Sequence, residues 1–287
     1  MNIPKDEHWW PSGLSLLHEC TTYASLALKN HLGQMSPEEY IAGAKANSLA
    51  LSQQSRLETM VITLADFVCY PVWLPYSLVE VSKSFGSSTK GRTQSDDLHE
   101  QFHGPYPCNK NGRLQLVDEP TVYLDKDDMV AGWYIPNMIG PDISRSVFEA
   151  TKRAAVAPNS IFNGKKTGNW RDDRSTYADP SKCTIPPGNA NISVGWYARG
   201  QAAKKEHLMP SSILRQESGI AFLQETHVAA GIVGAMLSII HPEVYEAHLL
   251  VLLEMHWMRN CLADPEFTKA VFEDWQSPFS AFAIIAN

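Results

Sequence analysis

Cysteine is scarce and scattered. Cys20, Cys69, Cys108, Cys183 and Cys261 are the five in 287 residues, and no two form a CxxC. An odd, widely spaced set argues against a disulfide scaffold and predicts reduced thiols in an intracellular protein, cytoplasmic or nuclear. Positive charge is short as well: 24 Lys and Arg face 31 Asp and Glu, a net charge of −7, with an isoelectric point of about 5.8. That balance excludes a general polyanion binder while leaving room for a local basic groove. Long apolar runs are missing. The longest uncharged apolar stretches, residues 67–79 with two prolines and residues 228–240, have 13 residues each, short of the roughly 20 that span a bilayer. The opening MNIPKDEHWWPSG has acids and prolines where a signal peptide needs a basic start and an apolar run. These absences predict a soluble protein with no membrane association.

Familiar catalytic signatures are missing too. There is no GxSxG, no GxGxxG and no cysteine in a protease signature. Asn163-Gly164-Lys165-Lys166-Thr167-Gly168 approaches a phosphate loop, but Asn159 stands where the first glycine belongs. Lys165, Lys166, Arg171 and Arg174 there alternate with Asp172 and Asp173, which reads as a solvated loop.

What is present is ordinary globular composition, 44% hydrophobic and 19% charged, ample for the core of one large domain or two modest ones. Patterning divides the chain into a helical N-terminal region (1–82), a polar linker (83–112) and an α+β region (113–287). Ser12 is placed to cap a first helix running to His31, with Gly33 as its left-handed stop. Ser36-Pro37-Glu38-Glu39 has the residues of a capping box. From there Tyr40, Ile41, Ala44, Leu49, Leu57, Met60, Val61 and Leu64 recur at near-helical spacing, until Pro71 and Pro75 end the pattern.

Further on, Leu114, Leu116, Val122 and Leu124 alternate with polar residues, 125–128 turns the chain and 129–135 returns, the signature of a hairpin. Residues 142–157 read as a short helix and 158–190 as an irregular stretch. Residues 191–197 alternate as a half-buried strand with Ile192, Val194 and Trp196 on one face. Ser211 or Ser212 is placed to cap a long helix to Ile240. Its second half is apolar all round, and Ala230, Gly231, Gly234 and Ala235 there admit a close neighbour. His241-Pro242-Glu243 breaks it and starts another helix through about Arg259. Residues 279–286 are apolar on both faces, as in a central strand. The tripeptide Gly-Trp-Tyr at 132–134 and 195–197 is too short to establish a repeat.

Two groups of side chains invite a metal. His99-Glu100-Gln101-Phe102-His103 is an HExxH: on a helix both imidazoles share one face for zinc, and the glutamate activates water. Gly104-Pro105 follows at once, and Tyr106 and Asn109 stand where a metzincin has glycine and a third histidine. Glu119 is the remaining candidate for a third ligand, from a strand-like segment. His241, Glu243 and His248 form the second group. In a helix starting at Pro242, Glu243 and His248 lie about 140° apart. His248 falls on a face with Val244, Val251, Leu252 and Met255, which suits a core histidine.

Five segments carry a resemblance: LVDEPTVYLDKDDMVAGWYIP (116–136), Asn169-Trp170-Arg171-Asp172, NISVGWYARGQ (191–201), IIHPEVYEAHL (239–249) and WQSPFSAFAIIAN (275–287). In this order and spacing the chain from Gly112 onward resembles a basidiomycete fungal family of TET/JBP-like oxygenases that use 2-oxoglutarate and Fe(II). The implied fold is α+β: a helical N-terminal part, then an incomplete double-stranded β-helix-type sheet packed on long helices. In that family the segment like FSAFAIIAN is an early barrel strand. A threonine-proline and an HxD-type metal pair follow it, and the distal histidine and the 2-oxoglutarate-binding arginine come later still.

The resemblance therefore carries no catalytic, cofactor-binding or metal-binding residue onto any position here. Such chemistry needs two imidazoles and a carboxylate on one face of iron, leaving positions for 2-oxoglutarate and oxygen. The expectation is the scaffold portion of such an oxygenase, catalytically incompetent by itself, with Fe(II) and 2-oxoglutarate implied only for an intact member. A nucleic-acid substrate is implied in the same way, and no basic stripe in this portion supports it. Ile284 and Ile285, on opposite faces of a terminal strand, predict self-association if that strand is left unpaired. Two other classes stay open: a non-enzymatic interaction module built on the helical half, and a zinc-dependent hydrolase at His99, Glu100 and His103. Recovery of a stoichiometric partner separates the first from the oxygenase scaffold, and metal content separates the second.

Overall fold

Residues 14–68, 70–85, 119–156, 180–182, 188–195, 208–257 and 264–286 are described by the computed structural model. They are mixed α+β and mostly helical, with eight α-helices and five short strands. The chain divides into two compact units, Met1–Glu58 with Ile139–Asn287, and Thr59–Met138.

The first unit opens with α1 (Ser15–His31). Ser12 lies outside the described residues, and the N-cap position is Leu14, which offers no side-chain bond. The far end closes as the sequence predicts. Gly33 has φ +65°, its amide donates to Asn30 O at 3.0 Å and the Gln34 amide to Lys29 O at 2.8 Å. These are the two bonds of a Schellman stop. The capping box of α2 (Pro37–Ala46) also forms: Ser36 Oγ accepts from the Glu39 amide at 3.2 Å, and the Ser36 amide donates to Glu39 Oε2 at 2.8 Å.

The near-helical spacing from Tyr40 to Leu64 belongs to two helices, α2 and α3 (Leu51–Phe67). Asn47 breaks the run. Its Oδ1 accepts from the Leu49 amide at 3.1 Å while its Nδ2 donates to Glu19 O at 3.0 Å, so the side chain competes with the helix for backbone partners. Gln54 Nε2 then ties the break together by donating to Ala44 O and Leu49 O. The apolar spacing over α2 misleads, because this helix buries no residue.

The helix α5 (Gly140–Val156) matches its sequence prediction closely. The long helix α6 (Glu217–Ile240) starts later than a serine cap would place it, after a 3₁₀ turn at Ser212–Arg215 and with Gln216 as N-cap. Ser211 is engaged elsewhere: its Oγ accepts from the Ser193 amide at 2.9 Å. At 24 residues, α6 is long and apolar enough to cross a membrane by length and composition alone. Here it is the central element of the first unit, packed by α1, by α5 and by α7 (Pro242–Trp257). Small residues make the approach close. A Cβ on Gly231 would stand 3.2 Å from Cys20 Sγ and 3.5 Å from Leu16 Cγ.

On α7 the buried stripe is Tyr245, Leu249, Leu252, Leu253 and Met255. Val244 and Val251, expected on that face, are 44% and 50% exposed. In this unit one helix escaped sequence reading: α8 (Pro265–Asp274), capped by Asp264, whose carboxylate accepts from the Phe267 amide.

Two strands complete this unit. β4 (Gly188–Ser193) begins three residues before the expected 191 and pairs antiparallel with β5 (Ala281–Ala286), from Ser193↔Ala281 to Gly188↔Ala286. The expectation of a central strand covered on both faces is corrected here. Phe282 and Ile284 pack on the core, whereas Ala281 and Ala283 are exposed, so β5 is half-buried. Small alanines at 281 and 283 explain how this part of an all-apolar strand tolerates water.

The second unit holds the rest of α3, β1 (Val72–Trp73), α4 (Leu78–Phe85), β2 (Thr121–Leu124) and β3 (Val130–Tyr134). β2 and β3 form the predicted antiparallel hairpin and β1 adds parallel to β2. The turn sits where the acidic residues place it, with Asp128 at φ +64°.

Candidate functional site

The sequence candidates do not assemble into one centre. His99, Glu100 and His103 lie outside the described residues, as do Asn163–Arg174 with Lys165, Lys166 and Arg171. Glu119 is exposed. His241 is the C-cap of α6: its amide donates to Leu237 O and its carbonyl accepts from the Tyr245 amide, both at 2.9 Å. Glu243 points into solvent from the first turn of α7. His248 meets Phe279 edge-on, ring centroids 5.1 Å apart. Among the described residues no three His, Cys, Asp or Glu side chains are grouped to hold a metal ion. His241, Glu243 and His248 therefore do not fit the two-imidazole, one-carboxylate face that Fe(II) requires.

The buried nucleophiles are quiet as well. Burial, with Glu19 alongside, pushes the Cys20 thiol up to about 12, so it is not a thiolate at neutral pH. Burial pushes the Tyr245 phenol up to about 12 as well. Tyr40 is raised by burial and by its bonds to Tyr23 and Glu58. It therefore stays protonated and donates to Glu58 Oε1 at 2.9 Å, linking α1, α2 and α3.

What does converge is the segment from Trp275 to β5. Trp275 is 1% exposed. Its indole N–H donates to Phe279 O at 2.8 Å and its ring lies 4.9 Å from that of Phe282. Phe282 in turn meets Phe222 of α6 edge-on. Two residues before Phe282, Ser280 O accepts from Ser193 Oγ at 2.8 Å and from the Val194 amide at 3.3 Å. Ser193 is itself buried and paired through both backbone groups with Ser211. Between these anchors, Gln276 Oε1 accepts from the amides of Leu16 and Leu17, at 3.1 and 3.3 Å. Pro278 and Leu17 lie side by side over Gly234.

Sequence reading could not find Gln276, because the partners stand 260 and 259 positions away.

Three of the five segments behind the oxygenase resemblance thus meet in the first unit: the described parts of 191–201 and 275–287, with 239–249. No family model and no curated protein matches the sequence. Residues 169–172 lie outside the described residues, and the described part of 116–136 is the hairpin of the second unit.

That hairpin is organised by Asp125, which has no exposed surface. Its carboxylate accepts from the amides of Leu78 at 2.8 Å, Asp127 at 2.9 Å and Met129 at 2.8 Å. The first of these caps α4, where the helix dipole favours negative charge. Burial by itself would raise the carboxyl, but the three amides and Lys126 together hold it below its ordinary value of 3.8. A depressed carboxylate stabilises the fold above its unfolded value, and that contribution disappears as pH falls through the folded value. The Leu78, Asp127 and Met129 amide shifts should therefore titrate together with a midpoint below 3.8. Midpoints at or above the ordinary value would mean that the three bonds are not made.

Proposed function

We propose that these residues form the scaffold of a TET/JBP-like 2-oxoglutarate/Fe(II) oxygenase, with β4 and β5 as the first strands of its double-stranded β-helix. What supports this reading is the convergence of the resembling segments. Residues distant in sequence, Ser193, His248, Trp275, Phe279 and Phe282, surround one strand pair. A rigid wall of this kind is what an iron centre needs, since its ligands must be held to within fractions of an ångström.

The wall carries no ligand set of its own. The Ser193 and Ser211 hydroxyls are spent on the backbone groups of Ser280, Gly195 and Ser193, and His248 is turned toward Phe279. No residue of this sequence is matched to a ligand position of the family. The chain alone is therefore a scaffold without turnover. Purified protein given Fe(II), ascorbate and 2-oxoglutarate should release no succinate above a metal-free control. Succinate that depends on both iron and 2-oxoglutarate would overturn this reading.

A further inference from the structure

Helix α1 lies outside the stretch that carries the oxygenase resemblance, yet its first turn sits on the segment that leads into β5. Leu14 supplies no capping side chain, so the Leu16 and Leu17 amides depend on Gln276 Oε1. Beside this bond a Cβ on Gly234 would come within 2.8 Å of Pro278 Cδ, and it would also strike Leu17 Cδ1. Leu17 and Pro278 thus share the notch that Gly234 opens in α6. On its other side the segment is fixed to β4, through Ser280 O with Ser193 Oγ and the Val194 amide. Residues 275–280 are held from both flanks, with one residue, Gln276, supplying the acceptor on the helical flank.

We propose that α1 is a clamp in cis: its docking holds residues 275–280 in place, so that α1 and β5 open as one local unit. The physical basis is a contiguous network in which, among the described residues, no second acceptor is bonded to the Leu16 and Leu17 amides. Release of Gln276 leaves two first-turn amides without an acceptor, and displacement of Pro278 frees Leu17 from its notch. Coupling of this kind is reciprocal, so loosening either end must loosen the other by the same factor. The inference stands on the first unit's geometry and does not depend on the oxygenase reading.

Native-state hydrogen exchange on the full chain tests it. In Gln276→Ala the amides of Leu16 and Leu17 and those of 281–286 should all exchange about fivefold faster, the effect of losing about 1 kcal/mol of hydrogen bonding. Gln276→Glu keeps an acceptor oxygen at the helix N-terminus and should stay within about twofold of wild type. Ser193→Ala approaches from the opposite flank and should accelerate the α1 amides along with those of β5. Amides of the 121–134 hairpin report on the second unit and should not change. Acceleration confined to α1 in Gln276→Ala, or to β5 in Ser193→Ala, overturns the clamp. So does equal acceleration of the hairpin, which would mean global loosening.

Discussion

Trp275→Ala should lower the stability of the first unit by about 4 kcal/mol, the usual cost of emptying a large aromatic site. Trp275 is the largest of the fully buried side chains among the described residues, and it sits against Phe282 in the cluster that also holds Ile192, Val194, Leu214 and Leu252. Several of these neighbours are anchored by backbone bonds of β4 and the 3₁₀ turn, so the cavity cannot collapse fully. The indole also donates to Phe279 O at 2.8 Å, and removing it leaves a carbonyl that costs about 1–2 kcal/mol if still buried. Against a typical domain stability of about 5–15 kcal/mol, this is a large fraction. Trp275→Phe separates the two contributions: the ring contact with Phe282 survives and the N–H is lost, so a cost of about 1–2 kcal/mol is expected. Urea unfolding followed by far-UV circular dichroism measures both. A Trp275→Ala variant within 1 kcal/mol of wild type, roughly the scale of a surface substitution, would mean that the cluster is not organised around this indole.

The features that sequence reading placed correctly are those whose cause is local. The Gly33 stop, the Ser36–Glu39 box and the turn at 125–128 each involve partners within a few positions, so their residues state their own geometry. The long apolar helix with Gly231 and Gly234 was legible for another reason. Small residues in an apolar run have little use except to admit a neighbour, although which neighbour cannot be read from them. Here it is α1 for Gly231, and α1 together with Pro278 for Gly234.

Where the reading failed, a distant partner decided the outcome. Ser211 has the chemistry of a helix cap, but β4 takes its hydroxyl and moves the start of α6 to Glu217. The strand at 281–286 has no polar residue to mark its outer face, so alternation between Ala and larger side chains was the one clue to its half-burial. Asp264-Pro265 carries the usual signals of a helix start, yet the short α8 that follows shows too little apolar periodicity to stand out. Of the candidate site, His248 reads as a core histidine in the sequence, whereas it is half-buried against Phe279 and the buried stripe is rotated by about one residue. Gln276 was illegible in principle, since no pattern within one segment reports a partner at the other end of the chain.

Gly219→Ala tests the junction where Ser211 yields to α6. In an unconstrained helix interior this substitution is stabilising by about 1 kcal/mol, because alanine loses less backbone freedom. The opposite sign is expected here. A Cβ on Gly219 would penetrate the Ile213 carbonyl oxygen and lie 2.8 Å from its carbon and 3.0 Å from Leu214 Cα. All three are backbone atoms, so no rotamer change relieves the clash. Nor is the turn free to slide: Ile213 O accepts from the Gln216 amide at 3.1 Å, and Leu214 is fully buried in the core. Relief requires withdrawing Leu214 or fraying the first turn of α6, and a net loss of about 2–3 kcal/mol follows from overpacking of this kind. Gly43→Ala is the matched control, since its Cβ meets only the Leu26 methyl ends at 2.9 and 3.0 Å. A small rotation of Leu26 clears that contact, so Gly43→Ala should fall within about 1 kcal/mol of wild type. If the two variants shift the urea midpoint equally, the close approach of the 3₁₀ turn to α6 is wrong, and with it the account of why α6 starts at Glu217.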